Sequence, residues 1–183
     1  QNILNLLIKE ANSSEVTLSA HSRIEIVLRS LGIDSRKLYP VNSNAAVDNA
    51  AKLTQMAAQA DQYAAPYVLL ADLQGNVGLT SEQVNALIGV LKANMGTGLF
   101  SYEWNGVTYA SPDTAGAALA ALAKYYGANA DAKEVVDTIL AALPSAMDAN
   151  GSFSSANSDA MVMIGLLALG KDPASLTSVS GAS

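Results

Sequence analysis

The 183-residue chain contains no cysteine, one histidine and few charged residues. Without cysteine it can form no disulfide, no thiolate metal site and no cysteine nucleophile. Charged residues make up 14% of the chain, well below the ~25% of an average globular domain. The sequence gives His21 no companion residues for a metal or catalytic site, so we expect it on a helix surface. We predict no bound metal and no cofactor.

The net charge is -6, and lysine and arginine form no cluster. A negative chain without a basic patch argues against nucleic acid as a partner and against binding to an anionic membrane surface. The longest apolar stretch, residues 160–169, is too short for the ~18 residues that a membrane helix needs, so we predict no membrane insertion. The chain is poor in lysine and rich in asparagine and serine, which favours an extracytoplasmic protein, secreted or at the cell surface.

The organising feature is a helical-hairpin unit that occurs twice between residues 98 and 173. In each copy a Gly-x-Phe turn, at 98–100 and at 151–153, precedes a helix rich in small residues. Aligning Asp113 with Asn157 sets the repeat at 44 residues, whereas aligning Asp113 with Asp159 gives 46 and loses the small-residue matches. The matches at 44 are Thr114 with Ser158, Gly116 with Ala160, Ala121 with Gly165 and Leu122 with Leu166.

A third copy of the helix end lies 138 residues upstream of the second, with glycine as a left-handed helix cap. A helix from about residue 65, with proline in its first turn, is a fourth and more divergent copy. Hairpins at this spacing are typical of helical arrays, in which each hairpin buries its apolar face against a neighbour. The matched residues at the helix end are Leu28 with Leu166, Leu31 with Leu169, Gly32 with Gly170 and Asp34 with Asp172.

Relative to the second copy, the first carries an insertion at about residues 102–110, which predicts a small β-hairpin near 101–110. There Tyr102, Trp104 and Tyr109 flank Asn105-Gly106, a two-residue hairpin turn. Elsewhere apolar residues recur at helical spacing, so the predicted fold class is all-α. Details of the helices that we predict are a start near residue 45 capped by Asn44, a capping box at Thr80 and Gln83, and an end near Leu143 before Pro144.

The predicted organisation is one repeat domain over residues 1–176, a segment of a longer chain, and a flexible tail or linker at 177–183. The repeat strings at 113–123, 151–153 and 157–173 resemble the prenyltransferase/squalene-cyclase-type repeat of α/α toroids, in particular the bacterial extracellular branch related to transcobalamin and intrinsic factor. The resemblance covers residues 78–173 well and 18–73 loosely. It implies helical hairpins arranged around a barrel.

A full toroid of this kind has six hairpins, and this chain supplies about four. The resemblance therefore implies a partial α/α barrel, which a homodimer, a partner chain or a missing domain would close. It does not extend to the catalytic branches: the aspartate-rich acid motif of the squalene cyclases is absent, and the zinc set of the protein prenyltransferases requires cysteine. The thioester domain of complement-type proteins requires cysteine as well. We assign no catalytic residue.

Two groups of residues are candidates for a ligand-binding site. Tyr102, Glu103, Trp104 and Tyr109 form a polar and aromatic cluster that could stack a sugar, a corrin-like ring or a partner surface, or could instead cover the end of the barrel. Asp113 and Asn157 occupy equivalent helix starts, where they either face a ligand at the barrel mouth or satisfy first-turn amides.

Three functions are compatible with these patterns. The favoured one is a non-catalytic, extracytoplasmic module that binds a small molecule or a protein partner. The alternative is an enzyme on the same scaffold, terpenoid-cyclase-like or carbohydrate-active, with Asp113 or Glu103 as its acid. The second alternative is a structural repeat segment that docks on another domain or on itself.

Overall fold

The computed structural model describes residues 2–75, 77–96, 98–153 and 155–179, which form eight α-helices and one β-hairpin. The predicted fold class, all-α with a small β-hairpin, is confirmed. The elements are α1 (Ile3–Asn12), α2 (Leu18–Ser30), α3 (Asn49–Met56), α4 (Ala65–Gly75), α5 (Ser81–Asn94), β1 (Ser101–Trp104), β2 (Val107–Ala110), α6 (Pro112–Leu122), α7 (Ala130–Ala146) and α8 (Ala156–Ala168), with short 3₁₀ turns at Ala57–Gln59 and Pro173–Ser175.

The chain divides into two units, Gln1–Leu87 and Ile88–Ser183. In the second unit the chain after Pro173–Ser175 is described as far as residue 179, where Ser178 is buried and the Val179 amide donates to the Pro144 carbonyl at 3.3 Å. The remainder of the predicted tail, residues 180–183, lies outside the described residues.

In the first unit α2 packs against α3 and α4. The predicted start of α3 near residue 45 is wrong: the helix begins at Asn49, and Asp48 rather than Asn44 caps it by accepting the Ala51 amide at 2.7 Å. The reason is an isolated bridge, in which the Leu38 and Val47 backbones exchange hydrogen bonds of 3.0 and 2.7 Å. This bridge holds residue 47 extended, and sequence periodicity does not reveal such a contact.

His21 is buried, not on a helix surface as its isolation in the sequence predicted. Its Nδ1 lies 2.8 Å from Asn49 Oδ1, while Asn49 Nδ2 donates to the His21 carbonyl at 3.1 Å and to Glu25 Oε2 at 2.9 Å. Ser35 donates to Glu25 Oε1 at 2.6 Å. The Asn49 side-chain nitrogen donates to the His21 carbonyl and to Glu25, so the atom that faces the imidazole is the Asn49 oxygen. An amide oxygen can only accept, and the imidazole proton is therefore on Nδ1. The network gives buried polar groups of α2 and α3 hydrogen-bond partners.

Stability should fall below neutral pH because of this histidine. Burial lowers the pKa of His21, opposed by the Asn49 hydrogen bond and reinforced by the charge of Lys52. The unfolded chain then binds more protons than the folded one, so stability is full above about pH 6.5 and is lost as the pH falls toward the folded pKa. We expect the free energy of unfolding, measured by denaturant titration, to fall between about pH 7 and 5 by at most about 1.4 kcal/mol per pH unit. In His21→Gln this dependence should flatten; an unchanged slope would assign the titration to another group.

In the second unit α6 and α8 approach until their backbones touch. A methyl group added at Gly116 would lie 2.4 Å from the carbonyl carbon and oxygen of Met161, and one added at Gly165 would lie 2.6 Å from the Gly116 oxygen. Only glycine permits this separation, and small residues let the rest of the two helices follow it. The close packing of α6 against α8 explains why these two helices are rich in small residues.

Helix α7 continues through Pro144 to Ala146, so the end predicted near Leu143 is wrong. Proline removes one amide and leaves the carbonyl four residues earlier without its helical partner. Only this one bond is lost, and Pro144 lies two residues before the last residue of the helix, so little of the helix follows it. The capping box, by contrast, is confirmed: the Gln83 amide donates to Thr80 Oγ1 at 3.2 Å, and the Thr80 amide donates to Gln83 Oε1 at 3.0 Å.

Substituting alanine for glycine should have opposite effects at two helical positions. Gly116→Ala places a methyl group inside the Met161 backbone and should lower the free energy of unfolding by about 1–3 kcal/mol or more. Gly89→Ala in α5 meets no atom within 4 Å, so higher helix propensity should raise stability by up to about 1 kcal/mol. Chemical denaturation of both variants measures the difference. Equal effects of the two substitutions would contradict the close approach of α6 and α8.

Candidate functional site

The predicted hairpin is confirmed, together with its Asn-Gly turn. Asn105 and Gly106 have φ angles of 50° and 75°, as a type I′ turn requires at both central residues. The four paired positions are Ser101 with Ala110, Tyr102 with Tyr109, Glu103 with Thr108, and Trp104 with Val107. The residues before and after the hairpin are hydrogen-bonded to each other: the Ser111 amide donates to the Phe100 carbonyl at 2.7 Å.

Alternation along the two strands places the four large apolar side chains of the hairpin on one face. Residues two apart on a strand share a face, so Tyr102 and Trp104 lie beside their partners Tyr109 and Val107. The two tyrosine rings stack with centroids 5.5 Å apart and an interplanar angle of 22°. We call these four residues the aromatic face. All four are exposed, and Trp104, the only tryptophan of the chain, exposes 66% of its surface.

Glu103 belongs to the opposite face of the hairpin, where it is paired with Thr108. The structure thus separates Glu103 from the three aromatic residues with which sequence proximity had grouped it. Every residue of both strands is exposed. The three rings are therefore partly open to solvent, with Trp104 the most exposed of them.

The two repeat copies share the features on either side of the hairpin insertion, which follows the turn phenylalanine in the first copy alone. Phe100 and Phe153 are both buried, and in both copies a serine hydroxyl then pairs with a hydroxyl three residues later. Ser111 Oγ lies 2.7 Å from Thr114 Oγ1, and Ser155 Oγ lies 3.0 Å from Ser158 Oγ. These pairs are 44 residues apart, in the register that the sequence indicated.

Asp113 and Asn157 each occupy the second position of their helix, as predicted. Asp113 is half-buried and accepts the Ser111 hydroxyl at 3.3 Å, while Asn157 is exposed. Ser111 does not cap α6 through its side chain. In α8 the matching Ser155 does accept the Ser158 amide, at 3.1 Å.

Asp159 is the acidic residue that ties the second turn to its helix, and the preferred alignment of the repeats passed over it. Its carboxylate accepts the Phe153 amide at 2.7 Å and the Ser152 hydroxyl at 3.0 and 3.2 Å. Asp148 fixes the same turn from the other side, and backbone hydrogen bonds from Ser152 and Asn150 lower the pKa of its carboxyl group. The Gly-x-Phe string six residues before Asp159 was the available signal.

A groove of about 260 Å³ runs beside α8, with Asp159 at its edge. Its walls are mostly apolar, and the hydrogen bonds to Phe153 and Ser152 already engage both carboxylate oxygens of Asp159. The carboxylate of Asp159 thus serves the turn at Phe153, and the groove beside it is mainly apolar. Its apolar lining includes Met147, Phe153, Val162, Met163, Leu166 and Leu176.

No group of three or more metal-ligating side chains gathers anywhere in the part of the chain that the structure describes. None of its helices there combines the length and hydrophobicity required to cross a bilayer. Comparison of the chain with protein-family models, with curated proteins and with solved structures finds no match.

Alanine substitutions at Asp159 and Asn157 should show that the first side chain stabilises the fold and the second does not. Asp159→Ala leaves the buried Phe153 turn without its acceptor and should lower stability by about 1–3 kcal/mol. Asn157→Ala, at an exposed position two residues earlier, should stay within about 0.5 kcal/mol of the parent. Thermal and denaturant unfolding measure both. A larger loss for Asn157→Ala would contradict this assignment.

Proposed function

We propose that this chain is a non-catalytic, extracytoplasmic binding module whose aromatic face takes a protein partner. The observation that carries the proposal is the exposure of Tyr102, Trp104, Val107 and Tyr109 together on one side of the hairpin. An exposed cluster of large apolar side chains has a solvation cost and marks interaction sites in soluble proteins. Tyrosine and tryptophan are also the residues that most often dominate protein interfaces.

The shape of the face favours a protein surface over a small molecule. Small-molecule sites are concave and bury most of their ligand, whereas this face is one side of a two-stranded ribbon. Glu103, the acidic residue of the hairpin, lies on the other side and adds no polar contact to the aromatic face. A broad apolar partner surface makes fewer demands for polar groups than a sugar ring does.

For the scaffold, we propose a segment of an α/α toroid-type array. Its support is the repetition of local geometry: the hydroxyl pairs that start α6 and α8, and the glycine caps that end α2 and α8 with φ angles of 71° and 69°. The extracytoplasmic location rests on composition alone, since the chain is lysine-poor and free of cysteine.

The enzyme alternative predicts a carboxyl group with a raised pKa at a polar cleft. The carboxyl groups with clearly displaced pKa values are Glu82, Asp137 and Asp148, and all three are lowered. Hydrogen bonds are the main cause in each: backbone donors at Glu82 and Asp148, and the Lys133 ammonium at Asp137. Such groups stay ionised at neutral pH and do not serve as general acids there.

Photo-crosslinking tests the aromatic face against its own reverse side. A benzophenone amino acid at Tyr109 should crosslink a discrete protein from the surface fraction of the producing cells, and the same amino acid at Thr108 should not. Trp104→Ala should weaken the interaction by roughly 10- to 100-fold, as removal of a central aromatic residue does. The stability of the Trp104→Ala variant should be unchanged, because the Trp104 side chain is largely exposed.

Thr108→Ala is the matched control, since it changes the same hairpin on its other face. Equal crosslinking from both positions would contradict a partner on the aromatic face. Retention of the chain on an immobilised polysaccharide, lost in Trp104→Ala, would replace the protein partner by a carbohydrate.

A further inference from the structure

Five asparagines of the chain are followed directly by glycine or serine. In such a pair the small second residue leaves its backbone nitrogen accessible, and that nitrogen can attack the asparagine side chain and displace ammonia. The attack requires a backbone amide that is not already committed to an acceptor, so the structure decides which pair reacts. The five pairs are Asn12-Ser13, Asn42-Ser43, Asn105-Gly106, Asn150-Gly151 and Asn157-Ser158.

In four of these pairs the amide of the second residue donates a hydrogen bond, which must break before the nitrogen can attack. The bonds run from the Ser13 amide to the Glu10 carbonyl at 2.9 Å, from the Ser43 amide to the Pro40 carbonyl at 3.0 Å, from the Gly151 amide to the Asp148 carbonyl at 3.1 Å, and from the Ser158 amide to Ser155 Oγ at 3.1 Å.

The pair at the tip of the β-hairpin differs from the other four. In the described part of the chain the Gly106 amide donates to no acceptor. A two-residue turn is closed by the residues that flank it, here Trp104 and Val107, and the amide of its second central residue stays outside the ladder. Asn105 itself is exposed. Both reacting groups are therefore available at this pair.

The attack also requires the backbone to leave its turn conformation, in which the φ angle of Asn105 is 50°. The hairpin permits this, because its strands have four residues each and every one of them is exposed. Two-stranded ribbons are marginally stable and open locally. The other Asn-Gly turn is held more firmly, since the Asp148 carboxylate accepts the Asn150 amide at 2.8 Å and the Ser152 amide at 3.0 Å.

We propose that Asn105 is a site of spontaneous deamidation, which modifies the tip of the hairpin. The Gly106 nitrogen loses its proton to base and forms a bond to Asn105 Cγ. The bond from Cγ to Nδ2 breaks, and Nδ2 takes up a proton from water and leaves as ammonia. Water, the one co-reactant, then opens the five-membered imide. Cleavage of the new bond gives aspartate, and cleavage of the original peptide bond gives isoaspartate.

The two products should affect the hairpin differently. Asp-Gly is a favoured type I′ turn like Asn-Gly, so aspartate at position 105 keeps the strand pairing and adds one negative charge. Isoaspartate carries an additional carbon in the backbone, which the two-residue turn cannot accommodate without disturbing the register. The stacked rings of Tyr102 and Tyr109 should then separate. The modification thereby alters the aromatic face, although the reaction itself does not depend on the partner proposed above.

Peptide mapping by mass spectrometry, on the full chain incubated in mildly alkaline buffer, tests the proposal. We expect the Asn105 peptide to acquire the mass change of an amide converted to an acid, and to do so at least about tenfold faster than the Asn150 peptide, whose turn must first break its hydrogen bonds. In denaturant the two rates should converge, because both pairs are Asn-Gly and the turns no longer differ.

Two variants separate the effects of the products. Asn105→Gly removes the reacting side chain and keeps a favoured turn sequence, so its near-ultraviolet circular dichroism should stay constant during the incubation, while that of the parent declines. Asn105→Asp represents the first product and should retain the spectrum of the fresh parent.

Three outcomes overturn the proposal. An Asn105 that stays unmodified in the native chain, but reacts in denaturant, would show that the folded hairpin protects it. Equal native rates at Asn105 and Asn150 would show that the hydrogen-bonded turn gives no protection. A changed spectrum in Asn105→Asp would assign the effect on the aromatic residues to charge and not to the altered backbone.

Discussion

The backbone contact between α6 and α8 is the constraint on which the second unit depends. With Gly116 packed against the Met161 carbonyl and Gly165 against the Gly116 oxygen, no side chain separates the two backbones at these positions. This explains why α6 is built from alanine and small residues and is buried on almost every side. Elsewhere in the unit the contacts include charged pairs, since Lys92 of α5 bridges Asp131 and Glu134 of α7 at 2.7 Å each.

What could be predicted from the sequence are features determined within a few residues of the chain. The Asn105-Gly106 turn, the capping box and the glycine caps each involve groups no more than five residues apart, so local chemistry decides them. The 44-residue register was predictable for a related reason. The same local sequence pattern occurs in both copies, and in the structure Ser111 and Ser155 each pair with a hydroxyl three residues later.

What could not be predicted are features fixed by contacts across longer sequence distances. His21 is buried because Asn49, 28 residues away, offers it an acceptor. The start of α3 moves to Asn49 because Val47 pairs with Leu38. The candidate site divides in the same way. Membership of the hairpin could be predicted, but its faces follow from the strand register, which separates Glu103 from the aromatic residues.

The two uncovered apolar surfaces of the second unit have different physical origins. One is the exposed apolar side of α8, with Met163, Ile164 and Leu167, which belongs to a helix whose other side packs against α6. The aromatic face is not part of a packed helix. The hairpin is an insertion in one repeat copy, every residue of its strands is exposed, and its local turn and the hydrogen bond at its base need no aromatic side chain. Folding therefore does not require Trp104 to be aromatic. An exposed residue whose chemistry the fold does not need is best explained by a partner that does need it.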